Sequence, residues 1–196
     1  MNIKLLRTVL WALVAVFGLG IGAMYLWPKP EPAPNSFGKG VYSLVDQQGA
    51  PIDQTMFVGQ PSVLFFGFTH CPDVCPTTLA EISSWFATLG DEAAGMKAYF
   101  VTVDPERDTP AVLGDYVNWV GGGITGVTGE PAEIAKIAKS WGAHYEKVPL
   151  EGGGYTMDHT ASVYLIDSRG DFQGTIAFRE DTTTALGKLR NLLAKS

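Results

Sequence analysis

Only two of the 196 residues are cysteine and only three are histidine. Thiol chemistry is therefore confined to one stretch, GFTHCPDVCP from Gly67 to Pro76, which holds both Cys71 and Cys75. Basic residues are also scarce, 14 Lys and Arg against 20 Asp and Glu, for a formal net charge of −6. An acidic chain is a poor match for a phosphate backbone, so nucleic acid is excluded as a partner. No internal repeat is present, which excludes a repeat architecture.

Charge is missing altogether from Thr8 to Trp27, TVLWALVAVFGLGIGAMYLW. Twenty residues at the helical rise cover roughly 30 Å, the thickness of a bilayer's hydrocarbon core. Trp11 near one end and Tyr25 with Trp27 at the other suit the two membrane interfaces. Lys4 and Arg7 precede the run, so the N-terminus is expected in the cytoplasm and everything after Trp27 outside it. The run ends in bulky aromatics and prolines, AMYLWPKP, where a cleaved signal peptide needs small residues, so an uncleaved single-pass anchor is expected. An Arg- and Ser-rich transit peptide is also absent, which points to a bacterial inner-membrane protein.

The alternating prolines of PKPEPAP favour extended polyproline II, a semi-rigid spacer. The expected organisation is a cytoplasmic tip and anchor over residues 1–27, a spacer over 28–36, and one folded domain over 37–196. Lys4, Arg7 and Lys29 against Glu31 leave +2 before Phe37, so the domain carries −8.

Within the domain, SVLFFGF (62–68) is an almost unbroken apolar run, the mark of a strand covered on both faces. A helix follows with Leu79, Ile82, Phe86 and Leu89 at helical spacing and Gly90 as its stop. KAYFVTV is a second strand and TPAVLGDYVNWV a second helix, entered through Pro110. ITGVTG is a short strand, and PAEIAKIAKSWG a helix with Pro131 near its start. ASVYLID and FQGTIAF form a hairpin across SRGD, and a helix closes the chain. YSLVDQQGAPID reads as an extra N-terminal hairpin. This order predicts an α/β fold with a central mixed sheet, and a cysteine motif between a central strand and a helix is the thioredoxin-like arrangement.

Pro76 biases Cys75 away from helical torsions and is itself favoured in a first helical turn, so Cys75 is expected at a helix N-terminus with Cys71 in the preceding loop. A helix N-terminus lowers a thiol's pKa, so at least one thiolate is expected near neutral pH. The spacing is C-x-x-x-C rather than C-x-x-C, leaving room for a metal between the sulfurs. Two thiolates form an incomplete site and call for a third ligand. His70 adjoins Cys71 and is expected to point away, and His144 lies in a polar stretch. His159, in YTMDHTASVYLID, comes just before an apolar strand, where a ligand role and a plain hydrogen-bonding role both stand. Asp73 and Asp158 are expected to be solvated, and Met157 to be a core or loop residue.

The motifs GFTHCPDVCP, VTVDPERDTP (101–110) and MDHTASVYLID, in that order, resemble the Sco/SenC family of membrane-anchored, thioredoxin-like copper proteins that help assemble the copper A centre of cytochrome c oxidase. The resemblance implies copper, as Cu(I) and Cu(II), held by Cys71, Cys75 and His159. It implies as partners the copper A-bearing oxidase subunit and a copper donor chaperone. It places Asp104, Arg107 and Asp108 in a motif expected to hold a loop beside the site. The donor chemistry agrees, since two thiolates and an imidazole suit Cu(I). An enzymatic alternative is a thiol–disulfide oxidoreductase using Cys71 and Cys75 as its redox pair, and His159 separates the two because thiol exchange has no need of it. A peroxidase-like role would require a peroxide pocket that nothing here specifies.

Overall fold

The computed structural model describes residues 3–26, 37–121 and 123–196. Two compact units divide the chain, Met1–Pro34 and Asn35–Ser196. The first contains helix α1, Ile3–Leu26, 24 residues long. Leu10, Trp11 and Phe17 on it are exposed. Among the described residues no helix is long and apolar enough to cross a membrane, and part of the span expected over Thr8–Trp27, like the proline-rich spacer, falls outside them.

The second unit is built on β3 (Ser62–Gly67), β4 (Lys97–Thr102) and β5 (Ile124–Thr128), which are parallel and adjacent. All six residues of β3 are buried, as the unbroken apolar run requires. Phe65 and Phe66 on β3 and Phe100 on β4 are fully buried, each worth roughly 1.5–3 kcal/mol of burial. Helix α2 (Val74–Leu89) connects β3 to β4, and α3 (Pro110–Val120) connects β4 to β5. Proline opens both α3 and α4 (Pro131–Ser140), where a missing N–H costs nothing.

The hairpin β1 (Ser43–Asp46) and β2 (Pro51–Asp53) adds antiparallel to β5. Its turn is closed by Asp46, whose Oδ1 accepts from the N–H groups of Gln48 and Ala50. On the far side β8 (Val163–Ile166) lies antiparallel to β3 and pairs with β9 (Phe172–Ile176). Asp167 organises that turn, accepting from the N–H groups of Arg169 and Asp171. Helix α5 (Thr182–Leu193) closes the fold, capped by Asp181. The sheet order is β2-β1-β5-β4-β3-β8-β9, a mixed sheet as expected.

The strand directions decide where chemistry can gather. Parallel β3 and β4 end at the same edge, and antiparallel β8 begins there. The cysteine loop, the Asp104–Asp108 loop and the segment before β8 therefore meet at one edge. The sequence reading assigned no strand to that segment, yet it forms a third hairpin, β6 (Tyr145–Pro149) and β7 (Tyr155–His159), in a separate two-stranded sheet. Gly152, Gly153 and Gly154 make its turn, all at positive φ.

Candidate metal centre

Cys75 is the second residue of α2, and Cys71 lies in the loop ahead of it, as the prolines predict. Asp73 stands at the N-cap but makes no capping hydrogen bond. Its place is taken by sulfur, since the Cys75 N–H donates to Cys71 Sγ at 3.4 Å. One of the orphan donors of the helix N-terminus is thus aimed at Cys71. Cys75 itself turns inward and is fully buried. Its sulfur sits against Gly67, where a Cβ would come within 2.7 Å of it.

His159 ends β7 and faces this pair. Its Nε2 lies 3.4 Å from Cys75 Sγ. Its Nδ1 lies 3.1 Å from the Thr160 carbonyl. A carbonyl only accepts, so Nδ1 carries a proton towards it, and Nε2 is the ring atom that faces Cys75 Sγ. This is the arrangement in which a backbone carbonyl fixes the tautomer of a metal-binding histidine. The imidazole stands edge-on to Phe65 and Phe68, 6.0 and 5.8 Å away between ring centres. The ligand atoms of Cys71, Cys75 and His159 all lie within 4.8 Å of one another.

The two thiols are electrostatically unequal. Hydrogen bonding from the Cys75 thiol, with further help from His159 and the N–H groups of Cys75 and Asp73, holds the Cys71 thiol down to about 3. The Cys71 sulfur and burial together push Cys75 far up. The sequence placed Cys75 at the helix N-terminus, and it is there, yet the thiol held low is Cys71, because the buried Cys75 keeps its proton and hydrogen-bonds the Cys71 sulfur, with the Cys75 N–H adding a lesser share.

The remaining sequence candidates fall into place around this centre. His70 is half exposed, bonds Thr69 Oγ1 through Nδ1 at 3.1 Å, and stands outside the cluster. His144, Asp158 and Asp73 are exposed. Met157 is buried in the core. Asp108 is fully buried and accepts from Thr69 N and Oγ1, at 3.0 and 2.6 Å, and from Thr102 Oγ1 at 2.6 Å. It ties the start of the cysteine loop to the end of β4. Asp104 pairs with Arg107 and accepts from the Tyr155 hydroxyl at 2.9 Å. The Asp104–Asp108 segment thus holds the edge together, as its motif implied.

Sequence reasoning missed three contributors: Gly67, Tyr155 and the hairpin that carries His159. The hairpin left only a faint signal, three glycines between YEKVP and YTMDH, each of which begins with a tyrosine and holds one β-branched residue.

The SCO1/SenC family profile matches residues 30–194. The mitochondrial protein SCO2 of Saccharomyces cerevisiae is 32% identical over 155 residues, covering 77% of this chain and 51% of that relative. The chain thus spans about half the length of the curated relatives it matches. The structure of Bradyrhizobium japonicum ScoI with copper bound is 42% identical, with a TM-score of 0.72 over 78% of this chain and 98% of that one. The structure of yeast Sco1 with copper bound is 30% identical, with a TM-score of 0.74 over 80% and 88%.

Proposed function

This chain belongs to the SCO1/SenC family, and from that membership we propose that it is a copper carrier for oxidase assembly. Copper is its cargo, held by Cys71, Cys75 and His159 and passed to the copper A-bearing subunit of cytochrome c oxidase after delivery by a copper donor chaperone. The observation that carries the reading is the convergence of the ligand atoms of two cysteines and the His159 imidazole within 4.8 Å of one another. Two soft sulfurs favour Cu(I), and the imidazole extends the same site to Cu(II). Solved relatives with copper bound support it.

The pocket's residues have distinct tasks. Cys71, partly buried where Cys75 is fully so and with its thiol held low, is the donor that incoming copper meets first. Cys75 keeps its proton until metal displaces it, so loading releases a proton. Phe65 and Phe68 wall the imidazole, and the Thr160 carbonyl keeps it from turning.

A second reading draws on the same asymmetry. An accessible thiolate beside a buried neutral thiol is the pairing of an exchange enzyme, in which Cys71 attacks a partner's disulfide and Cys75 resolves the mixed disulfide. On this reading the protein keeps the oxidase subunit's cysteines reduced.

We also assign residues 1–27 to a membrane anchor, 28–36 to a spacer and 37–196 to a domain outside the cytoplasm of a bacterium. The uncharged run Thr8–Trp27 behind Lys4 and Arg7 supports this. Protease added to intact spheroplasts should remove the domain and leave the anchor in the membrane fraction. A mature protein that begins near Lys29 and is released as soluble would sink the assignment.

The deciding experiment for copper is an anaerobic titration of the full-length protein in detergent against a competing Cu(I) chelator, with ligands identified by X-ray absorption. The reduced protein should take one copper with two sulfur neighbours and one nitrogen. The disulfide form should take none, since a sulfur bonded to sulfur is no longer a thiolate donor. Undiminished binding by the oxidised form would remove the cysteines from the site and end the carrier reading.

A further inference from the structure

We propose that Tyr155 is a positioning residue for His159. It fastens the β6–β7 hairpin to the Asp104–Asp108 segment and so sets where the imidazole stands relative to the two sulfurs. The proposal rests on the copper reading of the site.

His159 arrives on a piece of structure that the main sheet does not hold. β7 pairs with β6 in a two-stranded sheet of its own. A lone two-stranded ribbon is marginal in water. Its turn adds no grip, since Gly152, Gly153 and Gly154 have nothing within 4 Å of where a side chain would begin. Side chains and strand ends must therefore place it. At the His159 end the ladder continues one step within the hairpin, with Thr160 N donating to the His144 carbonyl and His144 N to the Thr160 side-chain Oγ1, both at 3.0 Å.

Side chains two apart share a face of a strand, so Tyr155, Met157 and His159 point the same way. Met157 enters the core, and Tyr155 and His159 flank it. The Tyr155 hydroxyl donates to Asp104 Oδ1 at 2.9 Å. Its carbonyl accepts from Arg107 Nη1 at 3.1 Å. The Arg107 guanidinium lies 3.9 Å from the ring centre and Lys147 Nζ 4.2 Å from it. Lys147, on β6, also pairs with Glu106 at 2.8 Å. Both strands of the hairpin thus grip the same short segment, at Asp104, Glu106 and Arg107.

That segment ends in Asp108, which holds Thr69 at the head of the cysteine loop. One stretch of five residues therefore carries both halves of the site, the sulfurs through Asp108 and the imidazole through Tyr155. Asp104 is buried and already neutralised by Arg107, so its bond to the phenol is sheltered from water and directional.

Outer partners that orient a metal-binding histidine typically change affinity by about 10–100-fold. The test uses full-length reduced protein in detergent, with Tyr155→Leu and Tyr155→Phe, each alone and combined with His159→Ala. Cu(I) affinity is read by chelator competition, the nitrogen neighbour by X-ray absorption, and Cys71–Cys75 coupling by the rate of disulfide formation. Tyr155→Leu should cost about tenfold in affinity, weaken the nitrogen signal, leave the disulfide rate unchanged, and cost nothing further when His159 is already alanine. Tyr155→Phe, which keeps the ring and its cations, should fall between Leu and wild type. Wild-type affinity in Tyr155→Leu, or an equal loss in the His159→Ala background, would overturn the proposal. If Tyr155→Leu does not fold, Tyr155→Phe decides, and unchanged affinity with unchanged hydrogen exchange over Tyr155–Thr160 would overturn it. Wild-type affinity in His159→Ala alone would instead overturn the copper reading. Exchange over Tyr155–Thr160 then judges the clamp, faster in the Tyr155 variants supporting it and unchanged overturning it.

Discussion

Replacing Gly67 by alanine tests how closely the buried sulfur is held. Gly67 ends β3 in register with Thr102, and its carbonyl accepts from Val103 N at 2.8 Å. A Cβ there would stand 2.7 Å from both Cys75 Sγ and Phe100 Cε2. That is about 1 Å inside an ordinary contact of roughly 3.5–4.0 Å. Neither neighbour can retreat into solvent, since both are fully buried. Overpacking of this kind costs about 1–3 kcal/mol, and a domain of this size loses roughly 2–4 °C of Tm per kcal/mol. Thermal unfolding of the reduced protein should therefore fall by roughly 2–12 °C. The sulfur is also displaced, and a site loosened by more than about 0.5 Å loses its productive geometry, so Cu(I) affinity should fall with stability. In a Cys75→Ala background one of the two contacts is gone, and Gly67→Ala should cost measurably less. Wild-type Tm and wild-type affinity in Gly67→Ala would refute the close approach of strand and sulfur.

Alkylation of the copper-free, reduced protein by iodoacetamide should modify Cys71 at a nearly constant rate from pH 8 to pH 5, because that thiol is held down to about 3, while Cys75 reacts only on unfolding; a rate falling about tenfold per pH unit, as for an ordinary thiol near 8.5, would contradict this. The sign for stability follows, since the folded value lies below the unfolded one: the Cys71 contribution is whole above about pH 8.5 and fades as pH falls towards 3. Asp108→Ala strands the donors of Thr69 and Thr102 in a buried setting and should cost about 3 kcal/mol or more in urea unfolding, with a loss below about 1 kcal/mol arguing against its role as the tie between the cysteine loop and β4.

Much of this molecule is written in local pattern. The nearly all-apolar run at Ser62–Gly67 reads as a strand covered on both faces, and prolines and glycines punctuate the helices because they act on the residues beside them. Alternation of strand and helix then implied parallel β3 and β4, and with them a shared edge where the cysteine loop and the approach to β8 meet. The motif resemblance named Cys71, Cys75 and His159 together, and the fold brings their ligand atoms within 4.8 Å.

Other features depend on groups far apart in the chain and leave no local mark. Which thiol is acidic turns on the burial of the Cys75 sulfur and its hydrogen bond to Cys71, and Gly67 on another element leaves the room that sulfur occupies. The protonated nitrogen of His159 is chosen by where the Thr160 carbonyl points once β7 has ended. Tyr155 is an unremarked aromatic until the fold lays Asp104, Arg107 and Lys147 around it, up to 51 residues away along the chain. Periodicity and spacing report on neighbours along the backbone; tautomer, thiol acidity and the placing of a hairpin are set by contacts across it, and those exist only in the folded chain.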